Sequence, residues 1–518
     1  MSTNKSIAKS AGIIGSATLL SRILGFTRDI IFAALFGTGV YAQAFVVAFR
    51  IPNLLRDLIG EGATNAAVVP VLVEELTHNG RQEFLKLANI LLNLMLIILT
   101  LLTVIGVVFS KPIVMAIAPG FIADPGKFEI TVALTRVMFP YLIFVGLAAY
   151  GMGVLNSVKH FTAPALGTSM LNISLIICMF LWRQDVAGLA IGVLIGGLLQ
   201  ILIQIPPLLK NGLCFDQRSI LHPRVKKIAR LLVPRIFGSG VYQINVFVST
   251  ILASIGKVAG EGAIAALYFS NRILQFPLAI FAIALAQAAL PTLSEHVANK
   301  EMDKFRGSIN FLLRGVAFIL LPSSAGLIAL SQPITKTLLE RGAFGLYSTS
   351  ITSSALFFYA FGLFAYGAIK ILVGAFYSMQ DTSTPVKVAA FSLVVNIVLN
   401  VALMYPLKVG GLALATSIAG ILNASILFVL LRKRLGTLDE KILFLSFAKI
   451  LGASFLMGLF TFYINRILNN LIISSSIIAS VFILAITIIS SIVFYMGLSY
   501  ILKIRELREL REWILKKK

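Results

Sequence analysis

The stretch Leu94–Val108, LMLIILTLLTVIGVV, decides the fold class of this chain. None of its residues is charged, and it lies in a longer apolar segment over 84–110. About 20 predominantly apolar residues suffice for one helix to cross a bilayer. The run is too long, and too uniformly apolar, for a membrane β-barrel strand, which alternates apolar and polar residues. The stretch therefore predicts a transmembrane helix.

The same pattern recurs along the whole sequence. Hydrophobic residues make up 58% of the 518 residues and charged residues 13%, whereas a soluble domain carries about 25% charged residues. We expect an all-α polytopic membrane protein of about fourteen transmembrane helices. The predicted spans are 7–36, 40–76, 84–110, 128–157, 160–183, 186–210, 227–256, 261–296, 302–331, 345–379, 383–407, 409–433, 441–465 and 473–503.

The two halves of the chain echo each other. Pro70 and Pro291 each begin a P-x-L-x-E pattern, and Pro164 and Pro385 recur at the same offset of 221 residues. The repeat holds six spans, an even number, so both copies have the same orientation and are related by an axis along the membrane normal. The predicted domains are 1–210 (helices 1–6), 211–434 (helices 7–12) and 435–518 (helices 13 and 14 with a cytoplasmic tail).

Basic residues set the predicted orientation. With the N-terminus in the cytoplasm, the cytoplasmic loops collect most of the lysine and arginine, as in Arg432–Arg434 and Lys516–Lys518, and this asymmetry follows the positive-inside rule. An even number of spans places both termini in the cytoplasm. The net charge of +23 is thus explained by topology and by contact with anionic membrane lipids, and does not predict nucleic-acid binding.

The tail, 503–518, has apolar residues at helical spacing between i,i+4 ion pairs such as Arg505–Glu509. It predicts either an amphipathic helix on the cytoplasmic membrane surface or a solvated helix end.

A minority of the charged residues falls inside predicted spans. An arginine at a helix centre costs about 2.5–3.5 kcal/mol on insertion scales, so such residues are expected to face a wet cavity or a partner. For Arg136, Arg314 and Lys449 we expect the side chain to snorkel to the membrane interface instead. The full set is Arg22, Arg28, Asp29, Arg50, Arg56, Asp57, Glu61, Arg136, Arg235, Arg272, Arg314, Lys370 and Lys449.

The densest group lies in the first two predicted helices. Arg22 and Arg28 are six residues apart and need a bend, for which Gly25 is the expected position, to reach one cavity. Arg50 and Arg56 flank Pro52 in the second helix. The guanidinium group stays charged and binds phosphate oxygens in pairs, so the cluster predicts an anionic substrate.

Other chemistry is disfavoured by what the sequence lacks. The predicted helices around Gln243 and Asn245 and around Asn396 and Asn400 carry amides and no acid, whereas a cation-coupled drug exporter needs an embedded carboxylate. No nucleotide-binding loop of the G-x-x-x-x-G-K-[ST] type occurs, and no nucleophile–base pair is visible. The four histidines are scattered. We expect no enzyme activity, no cofactor and no metal site.

At these residues the chain resembles a known family. Ser21–Asp29 (SRILGFTRD), Phe49–Arg56 (FRIPNLLR) and Gly60–Ala63 (GEGA) resemble the opening of the MurJ (MviN) lipid II flippases. Asn271–Arg272 with Phe276–Pro277 resembles their eighth helix. The resemblance covers essentially the whole chain, and the two-lobe repeat is shared with the wider superfamily of multidrug, oligosaccharidyl-lipid and polysaccharide exporters.

The resemblance implies a function in peptidoglycan synthesis for the cell wall, and hence in cell shape. It implies translocation of lipid II, an undecaprenyl-pyrophosphate-linked precursor, from the cytoplasmic to the periplasmic leaflet of the bacterial inner membrane. The family's last two helices form a groove for the polyprenyl tail. Proteins of cell-wall synthesis are considered as further partners. The residues implied to bind substrate are Arg22, Arg28, Arg56 and Arg272, with Asp29 and Glu61 as their charge partners.

Gln43 and Asn271 stand where the family often has acids, so Asp29 and Glu61 are the expected partners here. Three alternatives stay open: a flippase for another polyprenyl-linked glycan, a cation-coupled drug antiporter, and a non-transporting scaffold for cell-wall enzymes.

Overall fold

The computed structural model describes residues 3–56, 68–183, 185–213, 222–472 and 476–509. Within these ranges the side chains of 3–14, 55 and 231–242 are not described. The described residues form helices and turns, without a strand, as the apolar runs predict. The helices fall into two compact units, Met1–Ile255 with Arg341–Phe344 and Gly256–Glu340 with Gly345–Lys518.

In the first unit, α8 packs against both α1 and α9, while α7 packs against α4 and α9 and α2 packs against α6. Polar side chains begin several of these helices by accepting a backbone N–H, as Asp124 does from Lys127 at 3.1 Å and Asp185 from Ala187 at 2.8 Å. The helices are α1 (Thr3–Phe36), α2 (Val40–Arg56), α3 (Val69–His78), α4 (Gly80–Val108), α5 (Ser110–Ile117), α6 (Pro125–Met138), α7 (Tyr141–Ser157), α8 (Thr162–Leu181), α9 (Val186–Leu202), α10 (Ile205–Lys210) and α11 (Pro223–Ser254).

In the second unit, α19 packs against α20, α15 packs against α18 and α21, and α17 packs against α13 and α20. Pro277 ends α13, since it has no backbone N–H to continue the ladder, and a π-helical segment over Leu278–Ile283 follows. The helices are α12 (Gly256–Ala259), α13 (Ala263–Pro277), α14 (Ala284–Ala298), α15 (Met302–Ala329), α16 (Ser331–Leu339), α17 (Leu346–Ala360), α18 (Leu363–Ser378), α19 (Ser383–Leu407), α20 (Val409–Leu435), α21 (Glu440–Leu471) and α22 (Ile477–Ile501).

Helix bounds recur at the offset found in the sequence. A shift of 221 residues carries α4 (Gly80–Val108) to 301–329, where α15 is Met302–Ala329. The same shift carries α7 (Tyr141–Ser157) to 362–378, where α18 is Leu363–Ser378. Packing recurs too, because α4 packs against α7 as α15 does against α18.

Within the described part of the chain, ten helical segments are long and apolar enough to cross a membrane, or eleven if the bent pair α17 and α18 counts as one span. The fourteen spans predicted from the sequence exceed this number. Helix α1 carries three charges near its centre, α2 has 17 residues, and the side chains of 231–242 in α11 are not described. The count of fourteen stays a prediction.

Candidate functional site: an arginine ion pair on the first helix

The centre of the predicted cluster is an ion pair on α1. Arg28 donates from Nη2 and Nε to Asp29 Oδ1 at 2.7 and 3.1 Å. The side chain of Arg28 is 13% exposed and that of Asp29 is 7% exposed. A charged pair with this little exposure is stable only where further hydrogen bonds satisfy its atoms. The predicted pairing of Asp29 with an arginine is therefore present in the geometry.

A residue that the sequence reasoning missed completes this arrangement. Asn172 of α8 accepts a hydrogen bond from Arg28 Nη1 at 2.9 Å and donates from Nδ2 to the carbonyl oxygen of Ser21 at 3.2 Å. It is 7% exposed. Its sequence signal is weak, since it is one neutral amide in an apolar helix, 144 residues from Arg28.

Arg22 lies apart from this pair, with an exposed side chain. Helix α1 continues without a break through Gly25, so this glycine does not interrupt the helical hydrogen bonding. Six residues correspond to a rotation of about 240° along a helix. Arg22 and Arg28 accordingly have different surroundings on α1.

The second helix contributes half-buried basic groups. Arg50 and Arg56 lie on α2, which continues through Pro52 and ends at Arg56. Gln43 is 3% exposed, and its Nε2 donates to the carbonyl oxygens of Thr38 and Gly39 at 3.3 and 3.5 Å. It thus ties the start of α2 to the turn after α1. Glu61 and Asp57 lie outside the described residues, and the side chain of Arg235 is not described.

Arg272 belongs to the second unit, on α13. Its side chain is exposed, and its guanidinium carbon lies 5.1 Å from the centre of the Tyr268 ring. This distance is within the range of a cation–π interaction. Asn271 accepts a hydrogen bond from Gln275 Nε2 at 2.7 Å.

The expectation for Arg314 is wrong. Its side chain is 9% exposed and does not snorkel: Nη1 donates to Glu506 at 2.8 Å and Nη2 to Glu509 at 3.2 Å. Asn310 accepts from its Nε at 2.9 Å, and Ser446 donates to Glu506 at 2.6 Å. The described part of the tail is helical over 505–509 and is attached to α15 and α21 through this buried ion pair.

The other two residues expected to snorkel contact neutral oxygen atoms, whereas Arg314 contacts carboxylates. Arg136 is exposed and its Nε donates to Ser110 Oγ at 2.8 Å. Lys449 donates to the carbonyl oxygen of Leu502 at 2.9 Å, which again connects α21 to the chain that follows α22.

The amides of α19 form a buried polar group of their own. Asn396 and Asn400 are both fully buried, with Asn400 Nδ2 donating to Asn396 Oδ1 at 2.7 Å. Asn396 Nδ2 lies 3.5 Å from Thr416 Oγ1 of α20. These contacts join α19 to α20 through neutral groups.

The structure places one histidine beside two acids. The ligand atoms of Glu75, Glu83 and His222 lie within 4.8 Å of one another. However, His222 Nδ1 accepts the backbone N–H of Arg224 at 3.1 Å, so the neutral ring carries its proton on Nε2, the atom 3.9 Å from Glu83. A nitrogen that binds a metal must be unprotonated, and Arg224 Nε already lies 3.1 Å from Glu75. The geometry fits an ionic contact between Glu75 of α3 and Arg224 of α11, with His222 beside Glu83 of α4.

The described arginines can bind an anion. A guanidinium ion keeps its charge at any physiological pH and presents donors in a fixed fork that matches two phosphate oxygens. Asp29 and Asn172 fix the plane of the Arg28 fork within α1 and α8, whereas Arg22 and Arg272 present exposed charges.

Comparison with known proteins identifies relatives over most of the chain. Residues 32–496 match the family model described as "Lipid II flippase MurJ". A probable lipid II flippase MurJ of Vibrio cholerae is 36% identical over 443 residues, 83% of each chain. A probable lipid II flippase MurJ of Bdellovibrio bacteriovorus is 32% identical over 518 residues, 98% of this chain and 97% of the relative.

Comparison with solved structures also identifies a lipid II flippase MurJ. A lipid II flippase MurJ in an inward closed conformation has a TM-score of 0.79 and 28% identity, covering 94% of this chain and 98% of that one. An inward-facing multidrug resistance transporter of the MATE family has a TM-score of 0.68 at 16% identity, covering 83% and 99%. At that identity the second likeness concerns the fold alone.

Proposed function

The chain belongs to the MurJ family of lipid II flippases, and from that membership we propose that it moves lipid II from the cytoplasmic to the periplasmic leaflet by alternating access. It is a transporter of a lipid-linked peptidoglycan precursor and not an enzyme. The observation that carries the proposal is the arginine fork of Arg28, held in an apolar helix by Asp29 and Asn172.

The substrate chemistry fits these residues. A pyrophosphate presents several anionic oxygens, each able to accept charge-assisted hydrogen bonds from guanidinium groups. We propose that Arg22, Arg28, Arg56 and Arg272 bind it, with Asp29 and Glu61 as charge partners in its absence. Tyr268 supports the Arg272 assignment, since it holds that guanidinium at 5.1 Å.

The proposed architecture is two six-helix lobes related by a parallel repeat, followed by two further helices and a cytoplasmic tail. Its domains are 1–210, 211–434 and 435–518, with fourteen spans and both termini in the cytoplasm. The recurrence of helix bounds at 221 residues, as in α4 and α15, supports the repeat. The basic loops support the orientation.

A groove in the second unit suits the polyprenyl tail of the substrate. Of the two last helices, which the sequence predicted to form such a groove, α21 supplies described lining residues and α22 supplies none of them. The groove has a volume of about 350 Å³ and lies among α15, α18, α20 and α21. Its walls are mostly apolar, with Phe364, Phe428 and Phe447 among them, and Arg314 and Glu440 also line it. Because lipid tails are as apolar as these walls, an isoprenoid chain there would be held by van der Waals packing against the aromatic rings.

The test is a headgroup-exchange assay in vesicles that contain the purified protein. Lipid II and a second polyprenyl-pyrophosphate lipid with a different glycan are supplied in the inner leaflet, with and without a membrane potential. We expect lipid II to appear in the outer leaflet and the second lipid to stay. Preferential movement of the second lipid would instead favour a flippase for another glycan.

A further inference from the structure

Asn172 contacts α1 at two points that are seven residues apart. Its Oδ1 accepts from Arg28 at 2.9 Å, and its Nδ2 donates to the carbonyl oxygen of Ser21 at 3.2 Å. A Cβ at Gly25, which lies between these points, would meet Asn172 Nδ2 at 3.6 Å. One buried amide of α8 therefore spans the segment of α1 that carries the arginine.

The chemistry of this amide matters because it is neutral. Asn172 gives Arg28 an acceptor without adding negative charge, whereas Asp29 already supplies one carboxylate at 2.7 Å. A second carboxylate at the position of Asn172 would attract the guanidinium more strongly and would repel an incoming phosphate. An amide at this position orients the Arg28 guanidinium, and the net charge around it stays more positive than it would be with a second carboxylate.

The amide of Asn172 also connects α8 to α1 next to Arg28. Its Nδ2 is bonded to the backbone of α1 and not to another side chain, so the orientation of the Asn172 side chain is set by the helix it contacts. Since Asn172 is 7% exposed, water competes little for these two hydrogen bonds. The fork of Arg28 is thereby held by groups from α1 and α8 together.

We propose that Asn172 is a positioning residue for substrate binding: it orients the Arg28 guanidinium toward the pyrophosphate while keeping the site's positive charge. This inference rests on the proposed function. It assigns to α8 a part in recognising the anionic headgroup through Arg28, with no direct contact to the substrate required.

The experiment measures lipid II translocation by the full-length protein in vesicles over a range of lipid II concentrations. Asn172→Leu keeps the size of the side chain and removes both hydrogen bonds. It should raise the half-saturating lipid II concentration about tenfold, because the hydrogen bond to the charged guanidinium of Arg28 is among those lost. Asn172→Asp keeps the shape and adds a charge, and it should raise that concentration by at least as much. The maximal rate should change less in both.

The decisive variant exchanges the two partners of Arg28. Asn172→Asp combined with Asp29→Asn restores one carboxylate and one amide around the guanidinium, and we expect it to recover most of the affinity lost in Asn172→Asp alone. Ser174→Ala is the matched control on α8, since Ser174 donates to the Gly192 carbonyl oxygen at 2.8 Å, away from Arg28. It should leave the half-saturating concentration unchanged.

The outcomes separate the two claims. If the wild-type protein moves lipid II but Asn172→Leu has the same half-saturating concentration, or the exchanged pair is as poor as Asn172→Asp, the positioning role is wrong and the proposed function stands. If the wild-type protein does not move lipid II, the proposed function itself fails. Should Asn172→Leu not fold, Asn172→Asp and the exchanged pair decide, because both keep the shape of the side chains.

Discussion

Arg28 and Arg314 are the same side chain in two apolar helices, yet their surroundings differ in kind. Arg28 on α1 pairs with Asp29, its own neighbour in the chain, and with the neutral amide of Asn172. Arg314 on α15 pairs with Glu506, which is 192 residues away in the tail. Around Arg28 the contact between distant segments is made by a neutral amide, whereas around Arg314 opposite charges attach the tail to α15.

The difference indicates whether a buried arginine in a membrane protein contributes to transport or to stability. A carboxylate brought in from a remote segment makes the ion pair part of the folded structure, since breaking it leaves a buried charge unpaired. A carboxylate on the same helix turn holds the arginine without joining segments, so its loss changes the site more than the fold. We therefore expect Arg28 to matter for transport and Arg314 for stability.

The largest expected effect is on Arg28. Arg28→Ala should abolish growth of a strain depleted of its own flippase, because the fork proposed to bind the pyrophosphate is lost. Arg28→Lys should fail nearly as badly, since an ammonium has no planar fork. Growth on a plasmid copy is the measurement, with the membrane level of each variant checked by immunoblot. Full growth of Arg28→Ala at normal protein levels would remove Arg28 from the binding site.

The second effect concerns stability. Arg314→Ala should lower the free energy of unfolding by about 3–5 kcal/mol, because it leaves the buried carboxylate of Glu506 without its cation. Glu506→Ala should cost less, since Glu509 still pairs with Arg314 at 3.2 Å. Thermal unfolding of the detergent-purified protein measures this as a lower Tm. The matched pair Arg314→Met with Glu506→Leu removes both charges and should recover most of the loss. A single variant with the wild-type Tm would show that the tail is not held by this pair.

A smaller effect is expected at Arg272, an exposed member of the set. Tyr268→Leu should raise the half-saturating lipid II concentration roughly two- to fivefold, which corresponds to about 0.5–1 kcal/mol for an exposed cation–π contact. Tyr268→Phe keeps the ring and should behave like the wild type. Equal values for Leu and Phe would show that the ring does not orient Arg272.

The smallest effect lies at the turn between α18 and α19. The backbone N–H of Thr384, its hydroxyl group and Arg434 lower the pKa of Asp381 from 3.8 to about 2. The carboxylate then stabilises the fold above pH 3.8, and this contribution is lost as the pH falls toward about 2. Asp381→Asn should therefore lower the Tm slightly at neutral pH, and its difference from wild type should shrink below pH 3.8. A difference independent of pH would contradict this.

Much of the fold was predictable because it depends on local hydropathy. The span predicted over 84–110 corresponds to α4 (Gly80–Val108), and that over 302–331 to α15 (Met302–Ala329). The pairing of Arg28 with Asp29 was also predictable, since the two residues are adjacent. Helix α1 continues through Gly25 without an interruption, and the bend suggested there by the sequence stays a prediction.

Contacts between remote segments were not predictable in this way. Asn172 is a single neutral amide in α8, and hydropathy does not reveal which helix its side chain meets. Arg314 was expected to snorkel because that rule considers only the distance to the interface. In the structure Arg314 forms a buried ion pair with Glu506, a residue of the tail that the sequence predicted as either a surface helix or a solvated helix end.

The most direct test of the central claim is lipid II translocation by the purified protein in vesicles, comparing wild type, Arg28→Ala and the Arg314→Met, Glu506→Leu pair. The account predicts translocation by the wild type and by the apolar pair at a temperature where both are folded, and none by Arg28→Ala. Equal translocation by Arg28→Ala and wild type would contradict it.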